Sequence, residues 1–400
     1  MKAGKKKKIL ILGAGVNQLS VIRQARAMDM EAVVCSRPGP YQGIGEAARF
    51  YPTDTTDIEG CIAIAREENI DGVLCPGTDV AMPALGAIND ALGLPGPGYK
   101  AALMASDKLL MKKAFAENGV RTAAFSPASC YEEAMQAAHK IGFPLVVKVP
   151  NRSGSRGVEI VGDPAGFGEA YNRCLAVGAK NGLIVEAFLQ GEEFGAQSFV
   201  RDGRILFVMP HGDIVRRTEH GQVPVGHYVP YGASSELVAD IEEQITRCVN
   251  ALGLNDCAIN MDFTLVNGKA YVLEIGARVG ATCLCELVSL YYSINYDEFM
   301  IRTACGELMD CAFAPTGNAA AAMLLFSEQD GILEGVSFPE HPAPGLVQAF
   351  VDYPPGTPVS RFRAGPDRIG HVIFKVETAA EAMRALEGFL KETRITVRPV

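Results

Sequence analysis

The chain has no surplus of basic residues, no paired-cysteine framework, no long apolar run and no internal repeat. Lys and Arg number 37 against 46 Asp and Glu, a net charge of −9. Phosphate backbones are bound by clustered cations, so nucleic acid is excluded as a main partner, although a few local cations suffice for a phosphorylated small molecule. The 11 cysteines are scattered without disulfide or metal spacing in a chain far too long to need staples, and read as reduced thiols of a cytoplasmic protein. Cys283-x-Cys285 lacks the second half of a metal motif and reads as helix packing. The run Ile9 to Leu12 after Lys5 to Lys8 is too short for a secretory start and breaks at Gly13. No other stretch is long enough to span a membrane. What is present is 400 residues of ordinary apolar content, enough for two or three domains with sizeable cores.

Residues Lys8 to Leu12 read as a buried strand ending in Gly13-Ala14-Gly15, followed by an amphipathic helix to about Met28. Strands at Ala32 to Cys35 and Gly72 to Leu74 alternate with helical segments such as Glu59 to Asn69, which predicts a parallel α/β domain. The dinucleotide fingerprint fails twice. Its third glycine position is Gln18, and the second strand ends in Cys35-Ser36-Arg37 where a ribose-binding acid is expected. A nucleotide-dependent oxidoreductase is therefore disfavoured. The Pro/Gly cluster Leu94 to Gly98 ends this domain.

A helix carrying Asp107-Lys108 follows and stops at Asn118-Gly119; another spans Tyr131 to Ile141. Phe143 to Val149 is a strand with Lys148 in its apolar run, leading into Asn151-Arg-Ser-Gly-Ser-Arg-Gly157, and Val158 to Val161 resumes as a strand. The glycine loop is thus a hairpin tip and no Walker loop, whose lysine lies inside a strand-to-helix turn. Ser153, Gly154, Ser155 and Gly157 offer unobstructed backbone N–H groups for phosphates, with Lys148 as a point charge beneath; a flexible polar tip with a snorkelling lysine is the plain alternative. Leu183 to Leu189 is a strand running into a link, and Gly191-Glu-Glu193-Phe194 opens the next strand.

Asp262 and Glu274 flank Asn267-Gly268, a clear hairpin signal between apolar, β-branched runs. With a regular two-residue loop Asp262 sits opposite Leu273, and the two acids fall on opposite faces. With a three-residue loop, Val266-Asn267-Gly268, Asp262 lies opposite Val272 and Glu274 opposite Asn260; the acids then share a face as diagonal neighbours, with backbones roughly 7–8 Å apart. A shared site requires that odd loop or a bulge restoring the same facing. Two convergent carboxylates suit Mg²⁺, which is commonly held by one or two carboxylates plus substrate phosphates.

As an ordered set, Lys108, Lys148, the glycine-rich hairpin, Glu186 to Leu189, Glu193, Asp262, Glu274 and Arg278 resemble the ATP-grasp superfamily, and within it the carboxylate-amine ligases, especially the L-amino-acid ligase branch with its Ser-Gly-Ser-Arg-Gly loop. The resemblance covers nearly the whole chain. It implies a mixed α/β and α+β architecture: a preATP-grasp Rossmann-like parallel sheet (1–98), a central two-lobed ATP-grasp fold (99–312, with a glycine-rich lobe of about 107–182 and a metal-binding lobe of about 183–312) and a small C-terminal α+β domain (313–400). It also implies roles. Lys108 and Lys148 would contact the nucleotide phosphates, and Ser153, Gly154, Ser155, Arg156 and Gly157 would cover them. The Glu186 carbonyl with the backbone near Phe188 and Leu189 would hold adenine, and Glu193 the ribose. Asp262 and Glu274 would ligate Mg²⁺ (or Mn²⁺), in one or two ions, and Arg278 would steady the acyl phosphate and its tetrahedral intermediate.

The implied activity is ATP-dependent amide or peptide bond formation through an acyl phosphate, with small-molecule carboxylate and amine substrates and a homodimer as one option. One departure stands out: the family commonly reads Glu-x-Asn where this chain has Glu274-Ile275-Gly276, so water or a neighbour such as Asn260 must complete the metal shell. Arg216-Arg217 could clamp a carboxylate or form a solvated loop pair; His227 could orient an amine, act as a base or be structural; Gly276 and Cys283, with Cys285 and Glu286, border the substrate region. The alternatives are a purine-pathway or biotin-carboxylase-like enzyme using bicarbonate or a nucleotide precursor, and a catalytically silent ATP-binding sensor. From about Pro315, strands at Ala320 to Phe326, Gly345 to Tyr353 and His371 to Val376 and a helix at Thr378 to Lys391 carry no acid/base constellation, leaving lid, specificity element, dimer surface or core completion open.

Overall fold

The computed structural model describes residues 6–151, 157–178, 182–218, 221–341 and 343–400. In it the apolar run Lys8–Leu12 lies inside a four-stranded parallel sheet in the order Arg49–Tyr51, Glu31–Cys35, Lys8–Leu12, Gly72–Leu74. Side chains alternate across the sheet. Leu10, Leu12 and Val33 enter one core with Ile64 and Ile88, whereas Ile9, Ile11 and Val34 enter another with Val21 and Ile22. Coverage on both faces explains why these strands read as unbroken apolar runs. Gln18 occupies the ground a third glycine would leave open: its amide accepts from Gly15 N (3.0 Å) and donates to Pro76 O (2.5 Å). The space for a dinucleotide's phosphates at this turn is thereby filled.

The glycine-rich lobe is an antiparallel sheet in the order Phe125–Ala128, Leu183–Ala187, Leu145–Lys148, Val158–Val161, backed by the helices Tyr131–Ile141 and Phe167–Ala176 through Ala134, Ala138, Phe167 and Cys174. The lobe expected to bind metal is built on an eight-stranded sheet that begins with Lys269–Gly276, Cys257–Val266, Glu192–Arg201, Arg204–Thr218 and Gly221–Val229. It continues without a break into Ala319–Phe326, Arg368–Val376 and Leu346–Val351, so the C-terminal strands extend the site's own sheet. Both cores of the N-terminal sheet run on beneath it, one through Phe194, Met261 and Ile275, the other through Phe199, Leu287 and Phe299. That continuity fixes the N-terminal loops against the metal hairpin. No described helix is long and apolar enough to cross a membrane, and the 11 cysteines are all free thiols.

Candidate active site

Asn267 and Gly268 both have positive φ (50° and 74°), and Val266 pairs with Lys269, so the metal hairpin turns in two residues. Of the two ways to a shared face given above, the three-residue loop is therefore excluded. The shared face is restored by a bulge: Phe263 pairs with Val272, but Asp262 pairs with Glu274, leaving Leu273 as the extra residue. The two acids are therefore directly opposed rather than diagonal, with Cβ atoms roughly 4.5–5.5 Å apart for such a pair.

Cations surround this pair. Lys108 Nζ lies 2.9 Å from Glu274 Oε1. Burial works against its charge, yet the carboxylates of Glu274, Asp79 and Asp262 outweigh that and hold its pKa above the ordinary value. Lys108 is aimed by its helix, Lys108–Glu117, whose cap Asp107 accepts from Leu109 N (2.9 Å) and Leu110 N (3.0 Å). Asp262 keeps an open edge to solvent, while the enclosing walls first and then the charges of Glu274 and Asp213 raise its pKa. The raised pKa of Asp262, directly opposite Glu274, marks negative charge that the nearby cations leave unbalanced, and a divalent cation fits that donor set.

Arg278 points its Nη2 at Asp79 Oδ2 (2.6 Å) and Nη1 at Val279 O (3.2 Å), with Nε buried and unpartnered among the described residues. Asp79, on the loop after the strand Gly72–Leu74, carried no signal in the sequence because its partner is 199 residues away. It also accounts for Gly276. A Cβ added there would lie 3.1 Å from Asp79 Oδ1, so Asp79 stands where an asparagine side chain would project. Asn260, opposite Gly276, is already engaged by Gln197 Nε2 (2.6 Å).

Across the cleft, Lys148 Nζ sits 3.0 Å from Glu186 Oε2 and Lys112 Nζ 3.2 Å from the same oxygen. Burial opposes the Glu186 charge, but the two lysines prevail and lower its pKa. Glu186 thus positions Lys148 through its side chain, beyond the backbone role expected for it. Lys112 was missed, although Lys108 and Lys112 at four-residue spacing share a helix face. Phe188 N is bonded to Pro144 O (3.2 Å), and Phe188 and Leu189 lie half-buried in the link between the lobes. Gly157 has φ of 71° and its carbonyl accepts from Val149 N (2.8 Å), which closes the hairpin base. Ser153, Gly154, Ser155 and Arg156 lie outside the described residues.

Glu193 lies one sheet row along from Asp262, opposite Thr264. His227 faces Asp213 in the adjoining strands, with Nδ1 2.7 Å from Asp213 Oδ1; His211 Nδ1 lies 3.2 Å from the same oxygen. Among the described residues this trio has the compactness of a metal site, but hydrogen bonding assigns it otherwise. Gly280 N donates to Gln197 Oε1 (2.9 Å), which turns the Gln197 NH₂ toward Asn260 Oδ1 and His211 Nε2 (3.4 Å). His211 Nε2 then accepts, its Nδ1 carries the proton toward Asp213, and that nitrogen has no lone pair for a metal. Arg216 is held by Glu328 (2.5 Å) and lies over the Phe326 ring (4.8 Å), which ties it to the C-terminal strands. Cys283 is buried, in the left-handed conformation (φ 66°), at the start of the helix Leu284–Tyr292.

Two family models match the chain: the phosphoribosylglycinamide synthetase ATP-grasp (A) domain over residues 106–282, and the L-amino acid ligase C-terminal domain 2 over residues 323–398. Phosphoribosylglycinamide synthetase from Anaerococcus prevotii superposes with a TM-score of 0.83 at 28% identity, over 98% of this chain and 100% of that one. L-Amino acid ligase from Bacillus licheniformis superposes with a TM-score of 0.81 at 18% identity, over 99% and 100%. The biotin carboxylase domain dimer of the 2-oxoglutarate carboxylase of Hydrogenobacter thermophilus, in complex with MgADP, ADP and bicarbonate, gives 0.82 at 17% identity, over 98% and 91%.

Proposed function

We propose, on the premise that this chain belongs to the ATP-grasp superfamily of ATP-dependent carbon–nitrogen ligases, that it joins a small carboxylate to an amine through an acyl phosphate, releasing ADP and phosphate, and that amino acids are among its substrates. The observation that carries this reading is the bulged hairpin that sets Asp262 against Glu274, with Lys108 and Arg278 closing on the pair. A carboxylate is a poor electrophile at neutral pH, so it is first phosphorylated, and that transfer depends on positioning and on neutralising charge. Asp262 and Glu274 hold Mg²⁺, which when bound shields the charge of the ATP phosphates. Lys148, held by Glu186, and Lys108 orient those phosphates; Glu193 binds the ribose.

Arg278 stabilises the developing negative charge as amine adds to the acyl carbon. In the absence of substrate its guanidinium is kept in place by Asp79, which also raises its pKa against the effect of burial. The amino-acid reading is supported by the C-terminal family model. The competing reading, a nucleotide precursor or bicarbonate as substrate, is favoured by the ATP-grasp family model and the synthetase superposition. Screening amino acids singly and in pairs for ADP and phosphate release, with mass spectrometry of the product, separates them. Release with bicarbonate and no amino acid would overturn the amino-acid reading.

A further inference from the structure

Beyond the metal hairpin the chain runs from Arg278 directly into the wall of a second cavity. Val279 and Gly280 line it, together with Asn17 and Ser20 of the helix Val16–Ala27 and residues of the C-terminal strands, around an empty volume of about 600 Å³. Three parts of the chain meet here, immediately beside the group assigned to the acyl phosphate. The walls of this open space carry Arg23, Glu286, Asp352 and Arg368.

Glu286 stands in the first turn of the helix Leu284–Tyr292 and lines the cavity; its carboxylate meets its own backbone N–H but has no ion-pair partner among the described residues. Its neighbours in charge are Asp297, Arg368 and Asp352; burial first, and then Asp297, raises its pKa. Asp297 is itself engaged by Cys285 Sγ (3.1 Å) and Ser20 Oγ (3.4 Å). A half-buried carboxylate that lines a cavity and has no ion-pair partner among the described residues suits a cationic ligand. On the facing wall Arg368 is gripped by Asp352 through Nε (2.8 Å) and Nη2 (3.4 Å), and the same Nη2 lies 2.6 Å from His371 Nδ1. Arginine only donates, so His371 Nδ1 accepts and its proton resides on Nε2. That N–H is buried and has no acceptor among the described residues. Burial, then Arg368, lowers the His371 pKa to about 3, which keeps the ring neutral. The cavity thus offers an unpaired carboxylate on one side and an unmet donor beside a guanidinium on the other.

We infer that this cavity seats the amine substrate, that this substrate is a free amino acid whose carboxylate meets Arg368 and His371, and that Glu286 is the base for its ammonium group. The inference rests on the acyl-phosphate reading above. Glu286 takes one proton from the ammonium; the nitrogen lone pair so released forms the C–N bond at the acyl carbon; the C–O bond to phosphate breaks, its electron pair leaves with inorganic phosphate, and the second proton that the nitrogen sheds leaves on that phosphate. A carboxylate base in this position contributes roughly 10²–10⁴ in rate.

Hydroxylamine separates the two readings, because it is neutral at pH 7 and traps an acyl phosphate as a hydroxamate without needing its proton removed. The wild-type protein is first screened with MgATP, hydroxylamine and single carboxylates, and the productive carboxylate is then paired with glycine or alanine and with glycinamide or alaninamide. We expect Glu286→Gln to lower the ratio of amide product to hydroxamate by about 10²-fold or more. We expect Arg368→Gln to raise KM for the free amino acids about tenfold or more while leaving KM for their amides within about twofold, as loss of one charged contact predicts. Glu286→Gln conserves shape and carries the test if Arg368→Gln does not fold. An unchanged ratio in Glu286→Gln, or amides used as well as free amino acids by the wild type, would overturn the cavity assignment alone. Absence of hydroxamate with every carboxylate would overturn the parent reading, and this inference with it.

Discussion

Two glutamates face each other across the nucleotide cleft in opposite circumstances. Glu186 is sealed, with only 1% of its surface exposed, and is held by two lysines, Lys112 and Lys148. Glu274 keeps 32% of its side chain accessible and, among the described residues, is ion-paired with Lys108 alone. A buried carboxylate with two cations cannot exchange its partners without leaving charge stranded, whereas a half-open one can release its lysine to a phosphate and take a metal ion instead. The first pairing fixes a lysine in place, and the second is poised for the chemistry. The same contrast separates Asp79 and Arg278, already joined, from Glu286, which has no ion-pair partner among the described residues.

The strongest way to break this contrast is to remove the sealed member. Glu186→Gln leaves two buried ammonium groups facing a neutral amide and should cost about 3–5 kcal/mol of stability, read as a fall in the urea midpoint. Glu274→Gln should do the reverse, retaining the fold and the unfolding midpoint while lowering turnover by about 10²–10³, or roughly 3–4 kcal/mol of barrier. Arg278→Ala should match it in turnover. Normal rates in both would remove the site assignment.

A finer test concerns Gly276. Restoring the family's asparagine should lower activity rather than raise it, because Asp79 holds that space. Asp79→Ala in the Gly276→Asn background should recover part of the loss, with a coupling of about 0.5–3 kcal/mol between the two positions. Additive losses would show that Asp79 and residue 276 do not compete.

The smallest expected effect is a titration. Burial lowers the Lys112 pKa to about 8, below its ordinary value of 10.5. Between those values the unfolded chain binds the proton more tightly than the folded one, so this group's contribution to stability rises with pH across that window. The difference in urea midpoint between wild type and Lys112→Met should therefore grow from pH 8 to 10. A flat difference would mean that the ammonium stays charged in its seat.

Much of this arrangement was legible in the sequence where it depended on local pattern. The strands about Lys148 and Val158 to Val161 followed from periodicity, and so did the helix near Lys108, although Asp107 proves to be its cap rather than part of it. The bulge at Leu273 did not, because the extra residue is an ordinary apolar one and only the requirement for a shared acid face hinted at it. Asp79 and the Arg368–Asp352 pair were hidden for a different reason. They come from segments far from the metal hairpin, and only the continuous sheet and shared cores bring them to it. The short strands Arg49–Tyr51 and Pro358–Val359 are too brief to show a period at all. The His211–Asp213–His227 trio was half-visible through His227; its remainder depends on the register between strands, which a sequence pattern leaves free.

The central claim is that the open pair, Asp262 and Glu274, arms a magnesium nucleotide for carboxylate activation. Phosphate release from MgATP, measured across single and paired amino acids for the wild type and for Glu274→Gln, tests it most directly. The account predicts release by the wild type that depends on an added amino acid and falls at least about 10²-fold in the variant. Equal release by the two proteins, or release indifferent to every amino acid, would contradict it.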